Sequence, residues 1–433
     1  MRTITTGLFA LSILALPVAL RGQVNAPAPV SNSMPESSFG FNLPTHLGTL
    51  NYALTGTEMF NVGSDQGTSV FASTALSGNL AYMSSSQRFP FSMVYSGGLI
   101  VTTEPGNNST ETFQDLAVSQ VAQTKSWVFV VSDSASFLPG SPTTGLSGVA
   151  GVGDVGVFPV QSGIGPNQSI LANYSSRIAN GLQGSATWQA TASLDLEASG
   201  SWQVLHFTGG QSAVNTNQSS ATFGPSYRID ARNSVGGSAY YSDMTYPGYG
   251  DYKIETEGVN INYTRAWTRK LSTTVSFGPS RTHGVTFTPI AQRWNLAGSA
   301  EVTYATRTTG FYGNYDRSVN GGSGIIFGAL TDSFSAGMDR PINRDWTLGL
   351  QATYSRSVAL APVDGLTPSY NTAFGGAQLA RRITQSLSGF ASYTGISQSE
   401  KNQPIALGPA FNGINNVFSF GITFAPGPLL NGR

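Results

Sequence analysis

The stretch Trp346-Thr347-Leu348-Gly349-Leu350-Gln351-Ala352-Thr353-Tyr354-Ser355 places an apolar or aromatic residue at most second positions. Trp346, Leu348, Leu350, Ala352 and Tyr354 share one face. Thr347, Gly349, Gln351, Thr353 and Ser355 share the other. A period of two marks a strand between two different surroundings, whereas a helix repeats near 3.6. The pattern recurs outward from this stretch. Leu194, Leu196, Ala198, Gly200, Trp202 and Val204 oppose Asp195, Glu197, Ser199, Ser201 and Gln203. Trp294 to Tyr304 and Leu271 to Phe277 alternate in the same way. No segment beyond the N-terminus has convincing helical periodicity.

An aromatic closes a similar segment at Trp202, Tyr240, Phe277, Tyr315, Tyr354 and Tyr393. The repeat is therefore about 38 residues, within the range of repeat architectures. Short turns such as Asp230-Ala231-Arg232 and Thr384-Gln385-Ser386 precede these segments. Four strands of this length, as a propeller blade requires, do not fit in one repeat. Two strands do, giving an up-and-down meander.

The spans predicted are 48–61, 73–84, 90–103, 111–123, 126–136, 174–190, 193–206, 218–229, 233–245, 251–266, 271–282, 291–305, 309–319, 325–338, 345–357, 369–382, 387–397 and 415–424. This makes an all-β chain, a transmembrane antiparallel barrel of about 18 strands, an even number as in bacterial single-chain barrels. Short connections alternate with longer ones, as periplasmic turns alternate with external loops. The longest connection is 137–173, and alternation is least clean in the first five strands.

Composition agrees. Lys+Arg number 22 and Asp+Glu 22, and only 10% of residues are charged, against about 25% in soluble domains. No basic run or basic excess is available to neutralise phosphates, so nucleic acid is not an expected partner. The chain has no Cys and 51 Gly, which excludes a disulfide framework and thiolate chemistry.

Arg2, the apolar run Thr6 to Leu20 and the prolines Pro27 and Pro29 form a secretory signal pattern. The expected organisation is a signal peptide at 1–23, a periplasmic segment at 24–46, the barrel at 47–424 and a tail at 425–433. No later run is long enough for a spanning helix, so any crossing uses strands.

In the last strand Phe418, Phe420, Ile422 and Phe424 alternate with Ser419, Gly421 and Thr423. This resembles the C-terminal signature of Gram-negative outer-membrane β-barrels, although residues 425–433 extend past the last aromatic. By size and hairpin period the chain is similar to porins and to the barrels of exopolysaccharide secretion systems. That resemblance implies an outer-membrane location, lipid as surroundings, a neutral polar solute or saccharide as cargo and, for the export type, a periplasmic export partner.

Motifs for chemistry are weak. Gly151-Val152-Gly153-Asp154-Val155-Gly156 matches a dinucleotide fingerprint but is followed by Phe158-Pro159, without the strand and helix that motif needs. His46, His206 and His283 are isolated in sequence. No catalytic, metal or cofactor residues are assigned, and no enzyme is expected.

The expected pore lining is Arg177, Gln183, Glu197, Gln203, Arg228, Arg293, Glu301, Asn314 and Gln351, all on polar parity. The charges among them balance, so strong anion or cation selection is not expected; they are read as a network of paired charges across the lumen, with a selectivity ring as the alternative. Trp202, Trp294, Tyr304, Tyr354, Tyr393 and Phe424 are expected as an interfacial aromatic girdle. The Gly-rich segment 137–173, with Leu138, Gly148, Asp154 and Phe158, is expected to be a constriction loop. The predicted function is a porin-like channel, possibly saccharide-conducting. The alternative is a structural or adhesive surface barrel that uses 137–173 for recognition.

Overall fold

The computed structural model describes residues 49–63, 69–84, 86, 88–104, 107–138, 170, 176–208, 214–250, 252–285, 288, 290–306, 308–362, 365–402, 410–426 and 429–430. The predicted signal peptide and the segment 24–46 lie outside them.

The strands are Thr49–Gly63 (β1), Ser69–Met83 (β2), Phe91–Glu104 (β3), Asn107–Gln123 (β4), Trp127–Leu138 (β5) and Arg177–Gln189 (β6). Leu194–Phe207 (β7), Thr216–Arg228 (β8), Asn233–Thr245 (β9), Lys253–Ala266 (β10), Leu271–Val285 (β11) and Arg293–Ala305 (β12) follow. The last are Gly310–Asn320 (β13), Ala329–Pro341 (β14), Trp346–Ala359 (β15), Ser369–Arg382 (β16), Leu387–Lys401 (β17) and Gly413–Phe424 (β18). Each pairs antiparallel with its sequence neighbours, and β1 pairs with β18 from Leu54↔Phe424 to Gly63↔Asn415, which closes the barrel. A two-residue strand, Leu429–Leu430 (β19), continues along the start of β1. Closure leaves no unpaired edge, the condition a strand-built membrane protein must meet.

All eighteen predicted strands are present. The largest shift of a boundary inward is at β14, expected from residue 325 and observed from Ala329. Ile325, Ile326 and Phe327 instead belong to the connection before it.

The tight turns share one device, a side-chain oxygen that accepts from backbone amides two and three residues on. Thr191 serves Ser193 and Leu194, Thr268 serves Lys270 and Leu271, and Thr384 serves Ser386 and Leu387. Asp230 takes the same role for Arg232 and Asn233, and the Arg232 amide foremost holds its carboxyl below the usual carboxylate range. These turns recur at the sequence period and define the periplasmic end; the longer loops define the external end.

Only the interior of a closed barrel can bury a side chain completely. Met244, Ile254, Thr282 and Ser357 are fully buried and Tyr370 nearly so, which fixes the inward parity of β9, β10, β11, β15 and β16. The opposite parity carries the exposed apolar residues, including Trp294 at 67% and Leu296 at 61%. Exposure of this kind in every sector belongs in hydrocarbon, not water. One repeat marker departs from the expected phase: Tyr240 pairs with Gly258 on the inward parity, and Tyr241 takes the outward position.

The unclean alternation at the start of the chain has a physical cause. Met59, Ala75, Ile100 and Phe113 on β1 to β4 and Val417 on β18 form a buried cluster on the inward side. Both faces of these strands are therefore partly apolar.

Candidate permeation path

The pore-lining residues expected from sequence fall on the inward parity. Arg177 pairs with Phe207, and both are buried; Gln183, Glu197 and Gln203 follow in the same register on β6 and β7. Thr216 is buried and sets the inward parity of β8, which includes Arg228. Fully buried Thr282 pairs with Arg293, so Arg293 and Glu301 face inward on β12, and Glu301 pairs with Asn314. Gln351 shares parity with buried Ser355 and Ser357.

Hydroxyl and amide groups line this face in ladders between strands. Ser201 and Ser220 stand 2.7 Å apart, Thr256 and Thr282 3.2 Å, and Thr264 and Thr274 3.2 Å. Ser276 donates to Asn262 at 2.7 Å, and Asn262 donates to Ser238 at 3.3 Å. Such groups meet water or a polar solute without a fixed charge.

The expected network of paired charges across the lumen is not what the described residues form. Their ion pairs stand on the outward parity toward the loop end: Lys253 with Asp243 and Glu255, His283 with Glu255, Arg281 with Glu257, and Arg317 with Asp332. Outward charge near the external end meets headgroups and costs little there, whereas at the midplane it is expensive. Glu58 is deeper on the outer face, where the Thr74 hydroxyl donates to both its carboxylate oxygens at 2.9 and 3.0 Å.

All six expected girdle aromatics are exposed on the outward parity. Tyr304 and Phe424 lie toward the turn end. Tyr354 and Tyr393 lie within their strands and donate hydroxyl bonds to Asn371 and Asn416, each one step nearer the loop end. Tyr315 does the same to Asp332 at 2.8 Å. An apolar body with its polar tip turned toward the headgroup side is how an interfacial tyrosine lies, and a girdle role for these six aromatics is a proposal.

The external mouth contains a packed cap. The β13–β14 connection turns inward through Gly322, Ser323, Gly324 and Gly328, all at positive φ. Its apex, Ile325 and Ile326, is buried with Ile170, Ala359, Tyr370 and Ala410. A second cluster joins Val214, Met244, Tyr246, Ile254, Ile290 and Leu360. Phe327 meets Tyr246, Tyr249 and Tyr252 edge-on, with centroids 5.3, 4.8 and 5.4 Å away. Backbone bonds tether the segment: Val214 N–H to Gly324 O at 2.9 Å and Leu360 N–H to Gly328 O at 3.1 Å. The Ile170 amide donates to Ser323 Oγ at 3.2 Å. Gly328 has a positive φ of 71°, which favours glycine, and a Cβ there would also have to displace Ile254 Cδ1, 2.6 Å away.

Of the predicted constriction loop, Gly148, Asp154 and Phe158 lie outside the described residues, and Leu138 ends β5. Ile170, from the same connection, is part of the cap. The cap's main element was missed in the sequence, although Ile325-Ile326-Phe327 among glycines is an unusual composition for an exposed loop. Among the described residues no group of His, Cys, Asp and Glu could hold a metal ion.

No family model and no curated protein matches the sequence. Among solved structures, Pseudomonas aeruginosa OpdQ aligns at 14% identity over 89% of this chain and 100% of its own, with a TM-score of 0.41. Pseudomonas aeruginosa OccK7 (OpdD) aligns at 13% identity over 88% and 100%, with a TM-score of 0.43. Pseudomonas aeruginosa OccK2 (OpdF) in complex with glucuronate aligns at 11% identity over 88% and 98%, with a TM-score of 0.43. Values of this size leave the assignment to the barrel itself. Its closure, its apolar outer surface and its alternating short turns and long loops make it a porin-like transmembrane β-barrel of the bacterial outer membrane.

Proposed function

We propose that this chain is a passive channel for small polar solutes, with neutral saccharides the class its lining suits best. The observation that carries the reading is the hydroxyl and amide lining of the inward parity, seen in the pairs Ser201–Ser220, Thr264–Thr274 and Asn262–Ser276. Neutral donors and acceptors exchange hydrogen bonds with sugar hydroxyls without trapping the solute, as conduction requires. No chemical step is needed, so the role is transport and not catalysis. Passage of a longer exopolysaccharide, delivered by a periplasmic export partner, is a narrower form of the same reading. The apolar cap at the external mouth favours small solutes over it.

The test is swelling of proteoliposomes in neutral saccharides of increasing size. Rapid swelling in monosaccharides that falls steeply for larger sugars is expected. Absence of swelling for every sugar, with the barrel folded, would refute the channel and return the surface-barrel alternative.

A further inference from the structure

The lumen has a charge pattern that goes beyond a neutral lining. Its inward arginines all stand at strand ends. Arg177 and Arg293 open β6 and β12, and Arg228 and Arg382 close β8 and β16. Arg293 donates to the Leu360 carbonyl at 2.9 Å and Arg382 to the Arg344 carbonyl at 2.8 Å. Arg177 is only 4% exposed. The guanidinium groups of Arg177, Arg293 and Arg382 are therefore occupied with the rims or withdrawn from the bore, and Arg228 lines a depression at the turn-side rim with Asp195 and Asp230.

Between the rims, the inward ionisable groups of the described strands, tyrosines aside, are all carboxylates. Asp115 on β4 has the parity of buried Phe113. Glu197 is on β7, Glu301 on β12 and Asp316 on β13, and Asp339 stands at the turn-side rim, opposite Gly310, the first residue of β13. Asp316 pairs with Ser299 and Ser333, and Asp339 has the parity of buried Thr331. None of these five enters an ion pair of the described residues, which lie outside the barrel.

A second feature accompanies them. Tyr240 on β9 and Tyr312 on β13 also face inward, and each leans over a glycine. A Cβ on Gly258 would lie 2.6 Å from the Tyr240 hydroxyl oxygen, and one on Gly337 would collide with the Tyr312 ring. Glycine at these places lets the rings lie along the wall. The Tyr312 ring lies over Gly337, the inward neighbour of Asp339 on β14. Aromatic faces beside carboxylates are a surface for positive charge.

We propose that the lumen selects cations over anions, with Glu301, Asp316 and Asp339 and the tyrosines Tyr240 and Tyr312 forming the wall that favours them. Inorganic cations and small organic ammonium ions pass, and solutes bearing carboxylate or phosphate are repelled. The inference rests on the channel reading and adds a charge preference to it. Carboxylates around a bore raise the local cation concentration and exclude anions, and the sequence-level balance of charge disappears once the arginines are assigned to the rims.

The test is the reversal potential of the full-length barrel in a planar bilayer under a KCl gradient. A several-fold preference for potassium over chloride is expected. Glu301→Gln with Asp316→Asn should bring that preference toward unity while the channel still conducts. Asp339→Asn alone should move it part of the way and serves if the double variant fails to fold. Chloride preference, or a potassium preference that neutralisation leaves unchanged, would overturn the proposal while the channel reading stands. A bilayer that stays silent with folded protein would remove both.

Discussion

Replacing Ile325, Ile326 and Phe327 together with serine is expected to raise single-channel conductance several-fold and leave the barrel intact. The three side chains hold the β13–β14 connection in the external mouth through buried clusters and the Phe327 contacts with three tyrosines. Each lost isoleucine removes packing worth about 2–5 kcal/mol where a core is well filled. The segment's other tethers include the backbone bonds at Val214 and Leu360 and the Ile170 amide bond to Ser323 Oγ. The strands do not depend on this segment, because β13 and β14 pair from Gly310↔Asp339 to Asn320↔Ala329 without it. Unchanged conductance, with heat-resistant migration on gels preserved, would mean that the narrowest point lies elsewhere.

The second large effect concerns the outer surface. Ile261 is on the outward parity of β10, 57% exposed and paired with Phe277. It lies between Glu257 toward the loop end and Arg265 toward the turn end, close to the centre of the apolar band. Ile261→Arg is expected to cost about 2–4 kcal/mol, the range for a cation at the bilayer midplane. Ser299→Arg, on the inward parity, meets water and should cost far less. Equal losses in urea unfolding from vesicles would show that Ile261 does not face hydrocarbon.

Much of the barrel is legible in the sequence because two unlike solvents impose a strict period of two. Trp346 to Ser355 could be divided between lipid and lumen residue by residue, and the register places Leu350 and Gln351 as that division requires. Legibility fails where the two surroundings become alike. Met59, Ala75, Ile100 and Phe113 bury apolar side chains inside the barrel, so the first strands carry apolar residues on both faces. It fails again at Ile325 to Phe327, since an apolar run that folds into a mouth looks like the beginning of a strand. Segment length drew attention to 137–173, while the shorter connection that builds much of the cap had no such mark.

The electrostatics of the site were less legible. Arg177, Arg228, Arg293, Glu197 and Glu301 stand on the inward parity, and counted by sign they nearly balance. Position along the strand decides their effect. The three arginines are terminal strand residues, whereas Glu197 and Glu301 stand within. Asp115, Asp316 and Asp339 have the same parity but sit in strands whose alternation is weaker. Tyr240 was a marker of the repeat in the sequence and proves to be on the opposite face from Tyr354 and Tyr393. A change of one residue in repeat length reverses a side chain, because the strand period is two.

The central claim is that one parity of every strand faces a water-filled bore and the other faces lipid. The chain has no native cysteine, so single cysteines can be read without background. Cysteines introduced as Gln351→Cys and Ser299→Cys should react rapidly with a small membrane-impermeant thiol reagent on protein in lipid vesicles. Those introduced as Leu350→Cys and Leu296→Cys should stay protected until the bilayer is dissolved. The reverse pattern, with the leucine positions labelled and the polar positions protected, would contradict the account.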